Sequence, residues 1–187
     1  MTRIGGDSVN LASNPAGVDV AFYYVNGLYA AKEADVAARH PGKLVLGIDV
    51  NGSAPSAAVR DWETGDKGGS LEQWVIDHNK ASGVKDACVY CNRSTIPEVR
   101  QLTGAQVLGT DYILWVSTLD GTLYTGPGVG LCQVATIGGY DLSVIWDDGW
   151  HPSPDGAAHV KADIMEGLRA LDAAFGQVAA NVARLPG

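Results

Sequence analysis

The chain has 187 residues, 46% of them hydrophobic, enough for one medium domain, or a smaller domain with an appendage, to fill a core without disulfide staples. Its 13 Lys and Arg stand against 21 Asp and Glu, a net charge of −8, and no basic run interrupts the deficit. Electrostatic capture of nucleic acid or of an anionic bilayer is therefore excluded.

Residues 1–17 hold no apolar segment of signal-peptide length and read as an N-terminal extension. No later run reaches the length of a membrane span, so the chain is expected to be made as a soluble cytoplasmic product. Val20–Val25 predicts a first strand, Leu28–Arg39 a helix stopped by His40-Pro41-Gly42, and Lys43–Asp49 a second strand. Ala57–Asp61 is a weaker third. Gly69–Ala81 predicts a helix with Ser70 as N-cap, Leu71, Trp74, Val75 and His78 on one face and Gly83 as the stop. A strand at Cys88–Asn92 and a short helix opened by Ser94, with Pro97 in its first turn, complete an alternating β/α pattern that favours a parallel sheet or barrel.

After Thr110 the rhythm changes. Tyr112–Thr118, Thr122–Thr125, Leu131–Thr136 and Leu142–Trp146 read as strands joined too closely for crossover helices, with Asp120-Gly121 as a hairpin turn. Residues 18–150 fall short of the ~200 or more usual for a complete eight-fold unit. The expected fold is α/β, a compact or incomplete TIM-like β/α barrel. Residues 151–187 begin with a Pro-rich hinge, then space Ile164, Leu168, Leu171, Phe175, Val178, Val182 and Leu185 by alternating fours and threes, an amphipathic C-terminal helix. Such a seam over residues 160–185 can join copies of the chain into a homo-oligomer or lie back on its own barrel.

Cys88, Cys91 and Cys132 are an odd set that argues against a disulfide framework; Cys88 and Cys91, three apart in a strand, point to opposite faces and read as inert thiols. His40, His78, His151 and His159 show no metal spacing, and Gly126–Gly130 lacks the Lys-Ser/Thr of a phosphate loop. The pair Asp147-Asp148, between Trp146 and Trp150, reads as a solvated turn rather than a metal site. Neither metal nor cofactor is expected.

Asp61 and Glu63 carry the chemistry. On an extended segment, positions two apart share a face, about 7 Å apart. Neighbouring carboxylates split each other's pKa values, so that one keeps a proton while the other stays charged. Glycoside hydrolysis needs that division, and the C-terminal end of a barrel strand is where it would sit. A solvated acidic turn before Gly65 would have the same sequence.

Asp61-Trp62-Glu63, Ala87–Asn92 around Tyr90, Tyr112–Val116 around Trp115, Gln133-Val134-Ala135 and Gly139–Ser143 around Asp141 follow one another in an order that resembles the glycoside hydrolase family 25-like domains. The opening Tyr24-Val25-Asn26-Gly27-Leu28-Tyr29-Ala30 is similar to short, divergent members from actinobacteria and their phages. The resemblance covers roughly residues 18–150 and implies a muramidase-like barrel acting on the glycan of the bacterial cell wall. Carried over, Glu63 is the general acid, Asp61 its partner and Asp141 the late aspartate. Asn26 stands at the end of the first expected strand, where related sequences can carry Asp; an amide can orient a substrate or water but cannot act as a base. Tyr24, Tyr90, Trp115 and Gln133 join Asn26 as expected substrate-binding residues, the aromatics stacking on sugar faces or, alternatively, filling the core. Two readings remain: a peptidoglycan glycosidase released by lysis or carried on a virion, and a non-catalytic virion or host-glycan-binding module oligomerised through the tail.

Overall fold

The computed structural model describes residues 2–13, 17–63, 65, 67–83, 85–103, 107–118 and 120–146. The hinge and heptad helix of 151–187 and the pair Asp147-Asp148 lie outside the described residues.

Eight strands close into a barrel in sequence order: β1 (Arg3–Asp7), β2 (Val20–Tyr24), β3 (Leu44–Asp49), β4 (Val59–Asp61), β5 (Ala87–Asn92), β6 (Tyr112–Ser117), β7 (Val129–Ile137) and β8 (Tyr140–Ile145). Neighbours from β1 to β7 are parallel, while β8 is antiparallel to both β7 and β1. Among the described residues the α-helices are α1 (Glu33–Arg39), α2 (Leu71–Ser82) and α3 (Ile96–Leu102). The fold is thus a TIM-like α/β barrel with few helices, closed rather than interrupted.

Closure depends on β1, which belongs to the segment that reads as an extension from sequence. Arg3-Ile4-Gly5-Gly6-Asp7 has little strand propensity because two glycines occupy its centre. The barrel supplies the reason for one of them: a Cβ on Gly5 would lie 2.7 Å from the ring of Phe22, which fills the interior. Tertiary packing therefore selects the residue that local propensity disfavours.

The period of two divides each strand between two cores. Val20 and Phe22 of β2 point into the barrel beside Ile48, Val59, Cys88 and Trp115, whereas Ala21 packs outward with Val36 of α1. Cys88 and Cys91 fall on opposite faces, as their spacing requires, and both are buried. Outside β5 and β6, Leu71, Trp74 and Val75 of α2 and Ile96 and Val99 of α3 cover Val89, Leu114 and their neighbours. Each large side chain so buried contributes about 1.5–3 kcal/mol against exposure. The α2 boundaries follow the sequence signals: the Ser70 hydroxyl accepts the Gln73 amide, and Gly83 ends the helix with φ 74°.

Two connections differ from expectation. Thr122–Thr125 is not a strand, although the Asp120-Gly121 turn forms, with Asp120 Oδ1 accepting the Thr122 amide. Because β6 and β7 are parallel, residues 118–128 must cross from one end of the barrel to the other, which a hairpin cannot do. The hairpin falls instead between Ile137 and Tyr140, where Gly138 and Gly139 both take positive φ, 59° and 92°. A two-residue turn of that hand matches strand twist and reverses the chain into β8. No helix among the described residues is long and apolar enough to cross a membrane.

Candidate active site

The carboxylates assemble at the C-terminal ends of the parallel strands, the functional end of such barrels. Asp7 is the last residue of β1 and shares the inward face of Gly5. Asp61 is the last residue of β4 and pairs with Tyr90 on β5. Glu63 follows two residues later, after Trp62, whose side chain turns into the outer core and whose amide donates to the Tyr90 carbonyl at 2.8 Å. Asp141 reaches the same rim from the other direction, because the Gly138-Gly139 turn makes it the second residue of the reversed β8. There it lies directly across from Asp7 as its cross-strand partner.

Asp7 is the residue that sequence reasoning missed. Its Oδ2 accepts the Tyr24 hydroxyl at 3.2 Å, and Oδ1 has no hydrogen-bond partner among the described residues. Burial, then the charge of Asp141 and, less, that of Glu63 push its carboxyl up to about 7; the Tyr24 hydrogen bond works the other way. The carboxylate sought on the first strand is therefore present, on a strand earlier than the one read as first.

Asn26 follows β2, not β1, and its amide is engaged in structure: Nδ2 donates to Asp49 Oδ1 at 2.7 Å and Asn51 Oδ1 at 2.8 Å, while Oδ1 accepts the Val50 amide at 2.9 Å. Asp49, wholly buried, also accepts the amides of Asn51, Gly52 and Ala54 and Nε1 of Trp74. Burial by itself would raise its pKa, but these donors, Asn26 foremost, hold it below the usual carboxylate range. Asp49 is a structural anion that fixes the β3 loop.

The other expected residues divide. Tyr24 and Tyr90 stand at the inner rim, and burial first, with the surrounding carboxylates second, raises both phenols well above their ordinary range, so each remains a neutral donor. Tyr90 donates to Gln133 Oε1. Trp115 lies beneath them, 1% exposed, its ring 4.4 Å from that of Phe22 and 5.0 Å from that of Tyr90, with Nε1 donating to Ser143 Oγ at 2.9 Å. Gln133 is 2% exposed. Both form the floor under Tyr90, where a sugar face cannot reach them. Of the five, Tyr24 and Tyr90 border the carboxylates.

Arg60, fully buried on the opposite face of β4 from Asp61, holds the rim together. Its guanidinium donates to the carbonyls of Asp49 at 2.9 Å, Gly68 at 2.8 Å and Asp61. It thereby ties the ends of β3 and β4 to the loop that leaves Glu63.

Beside Asp7 and Tyr24 a cavity of about 490 Å³ opens between the β1 and β2 loops, lined in part by Ser8, Tyr24, Leu28 and Tyr29. Among the described residues no group of three or more His, Cys, Asp or Glu is arranged to hold a metal ion. Burial raises the Cys88 thiol well above its ordinary value and Cys91 up to about 12, which leaves both without thiolate chemistry at neutral pH.

No protein-family model and no curated protein matches the chain. A solved structure described as a glycosyl hydrolase 25 of Streptococcus pneumoniae, a virulence factor participating in host cell invasion, is similar at 15% identity with a TM-score of 0.42, covering 76% of this chain and 86% of that one.

Proposed function

We infer that the chain is a glycoside hydrolase that acts on bacterial cell-wall peptidoglycan by carboxylate acid/base catalysis. The observation that carries the reading is the juxtaposition of Asp7 and Asp141 beside the Asp61-x-Glu63 segment, with Asp7 keeping its proton up to about pH 7. Separating the protonation of neighbouring carboxyls is what glycosidic cleavage requires.

In this reading Glu63, half-buried on the loop beyond β4, protonates the leaving oxygen. Asp61 and Asp141 supply negative charge beneath an oxocarbenium-like centre, and Asp7 exchanges a proton within the cluster. Tyr24 and Tyr90 orient the sugar as neutral donors. The competing reading of a non-catalytic virion or glycan-binding module draws on Asn26, the short barrel and the heptad of the tail; the carboxylate of Asp7 at the end of β1 favours the enzymatic reading over it. The heptad spacing of the tail supports oligomerisation through residues 160–185, and release by lysis or carriage on a phage particle would bring the chain to the cell wall.

The test is release of new reducing ends from purified actinobacterial peptidoglycan. Wild type is expected to release them and Glu63→Gln to fall by at least a hundredfold. Equal readings from the two would end the enzymatic reading.

A further inference from the structure

On the far side of the mouth from the β1–β2 cavity, a second cavity of about 560 Å³ opens at the ends of β5 and β6, lined by Asn92, Arg93, Ser94, Ser117, Thr118 and Asp120. It meets the rim through β5, whose Tyr90 is the cross-strand partner of Asp61. Asn92 lies two residues beyond Tyr90 on the same strand face and is the cross-strand partner of Ser117. Asn92 makes no side-chain cap on the 3-10 turn that follows it, which leaves its amide to the cavity.

The lining is amide, hydroxyl, guanidinium and one carboxylate, without the aromatic rings that join the polar side chains of the cavity opposite. Arg93 is exposed, and its guanidinium carbon sits 4.9 Å from the centroid of the half-buried Tyr124 ring. Stacking fixes the plane of a guanidinium while leaving its edge donors available, the arrangement that receives a carboxylate in two parallel hydrogen bonds. Asp120 shares the cavity without closing an ion pair on Arg93 among the described residues; its Oδ1 accepts the Thr122 amide at 2.9 Å. In a chain of net charge −8, with four carboxylates at the mouth, a substrate bearing an acidic group needs a cation at the place where that group lands.

We propose that the cavity at the ends of β5 and β6 is a saccharide subsite that takes a carboxylate borne by the glycan, with Arg93 as the residue that selects it. This rests on the glycosidase reading and deepens it. The polymer then crosses the mouth from the aromatic cavity, over Glu63 and Asp7, to a polar end that reads its acidic substituent. On a peptidoglycan strand that carboxylate has two sources, the lactyl group of the sugar and the end of the peptide stem, and the guanidinium chemistry is the same for both.

Binding separates this proposal from catalysis. The full chain carrying Glu63→Gln, labelled with nitrogen-15, is titrated at pH 6 with N-acetylmuramic acid, its methyl ester, and N-acetylmuramoyl dipeptide, whose lactyl carboxyl is amidated. The expected result is saturable shifts at the amides of Asn92–Ser94 and Ser117–Thr118 with at least one acid and at least tenfold weaker binding of the ester. A response to N-acetylmuramic acid assigns the lactyl carboxylate; a response to the dipeptide alone assigns the stem. Arg93→Ala should remove the preference for the acid, and Ser94→Trp, which fills the cavity from its exposed rim, should weaken all three ligands. Equal binding of acid and ester, an unchanged preference in Arg93→Ala, or the absence of shifts at these amides would each overturn the subsite. Because the readout needs no turnover, a protein inactive on peptidoglycan that still binds the acid fails the glycosidase reading alone.

Discussion

Asp7 and Asp141 face one another across the β1–β8 seam, the one point where the barrel closes between its first and last strands. Like charges directly opposed on antiparallel strands destabilise a sheet, and here one of the two carboxyls, Asp7, is buried while Asp141 is half-buried.

The burial of Asp7, with the opposed charge of Asp141 added to it, has a cost that depends on pH. The folded-state pKa of Asp7 is raised to about 7 from an ordinary 3.8, so between those values the folded chain holds a proton that the unfolded chain has released. Stability is then greatest below the unfolded value and declines as pH rises through the folded one. A shift of this size corresponds to on the order of 4 kcal/mol. Asp7→Asn is expected to be inactive yet more stable than wild type at pH 8, by up to that amount, with the gain vanishing near pH 4. Urea unfolding at the two pH values measures it; an equal difference at both would refute the buried-carboxyl account.

Tyr24 tunes the same group. Its hydroxyl lowers the pKa of Asp7 by hydrogen bonding to Oδ2. Tyr24→Phe should therefore move the Asp7 titration to higher pH by roughly half to one unit, the equivalent of a hydrogen bond of about 1 kcal/mol. The carboxyl carbon resonance of Asp7 followed through a pH series reports it, and a move to lower pH would contradict the assignment.

Replacing Asn26 by Asp tests the correction to the first-strand carboxylate. Asn26→Asp removes the donor to Asp49 and sets a second negative charge beside a buried one. The expected loss is about 2–4 kcal/mol with no gain in hydrolysis. An increase in activity would mean that Asn26, not Asp7, occupies the first-strand role.

Trp115 distinguishes floor from binding surface. Trp115→Ala should cost about 3–5 kcal/mol by opening a cavity between Phe22 and Tyr90. Trp115→Phe should retain most activity on peptidoglycan with the Michaelis constant little changed. A large rise in that constant at unchanged stability would show direct contact with the glycan.

Much of the barrel was legible because its residues obey local rules. Ser70 and Gly83 bound α2, Pro97 opens α3, and Cys88 and Cys91 fall on opposite faces by the period of two. Asp61 and Glu63 are read as a pair from their spacing of two, and β4 itself ends at Asp61. Thr122–Thr125 was not, since strand-like composition carries no information about whether the next strand runs parallel.

The sequence by itself determined the parts that depend on neighbours along the chain: the alternation of strands and helices, the helix caps, the buried thiols and the Asp61-x-Glu63 carboxylates. Only the tertiary structure decided what depends on contacts distant in sequence. Gly5 reads as a poor strand residue until the Phe22 ring lies against it. Asp7 reads as a polar residue in a tail until the Gly138-Gly139 turn brings Asp141 back across from it. Its retained proton follows from burial and from that added charge, neither of which is a property of the segment that carries it.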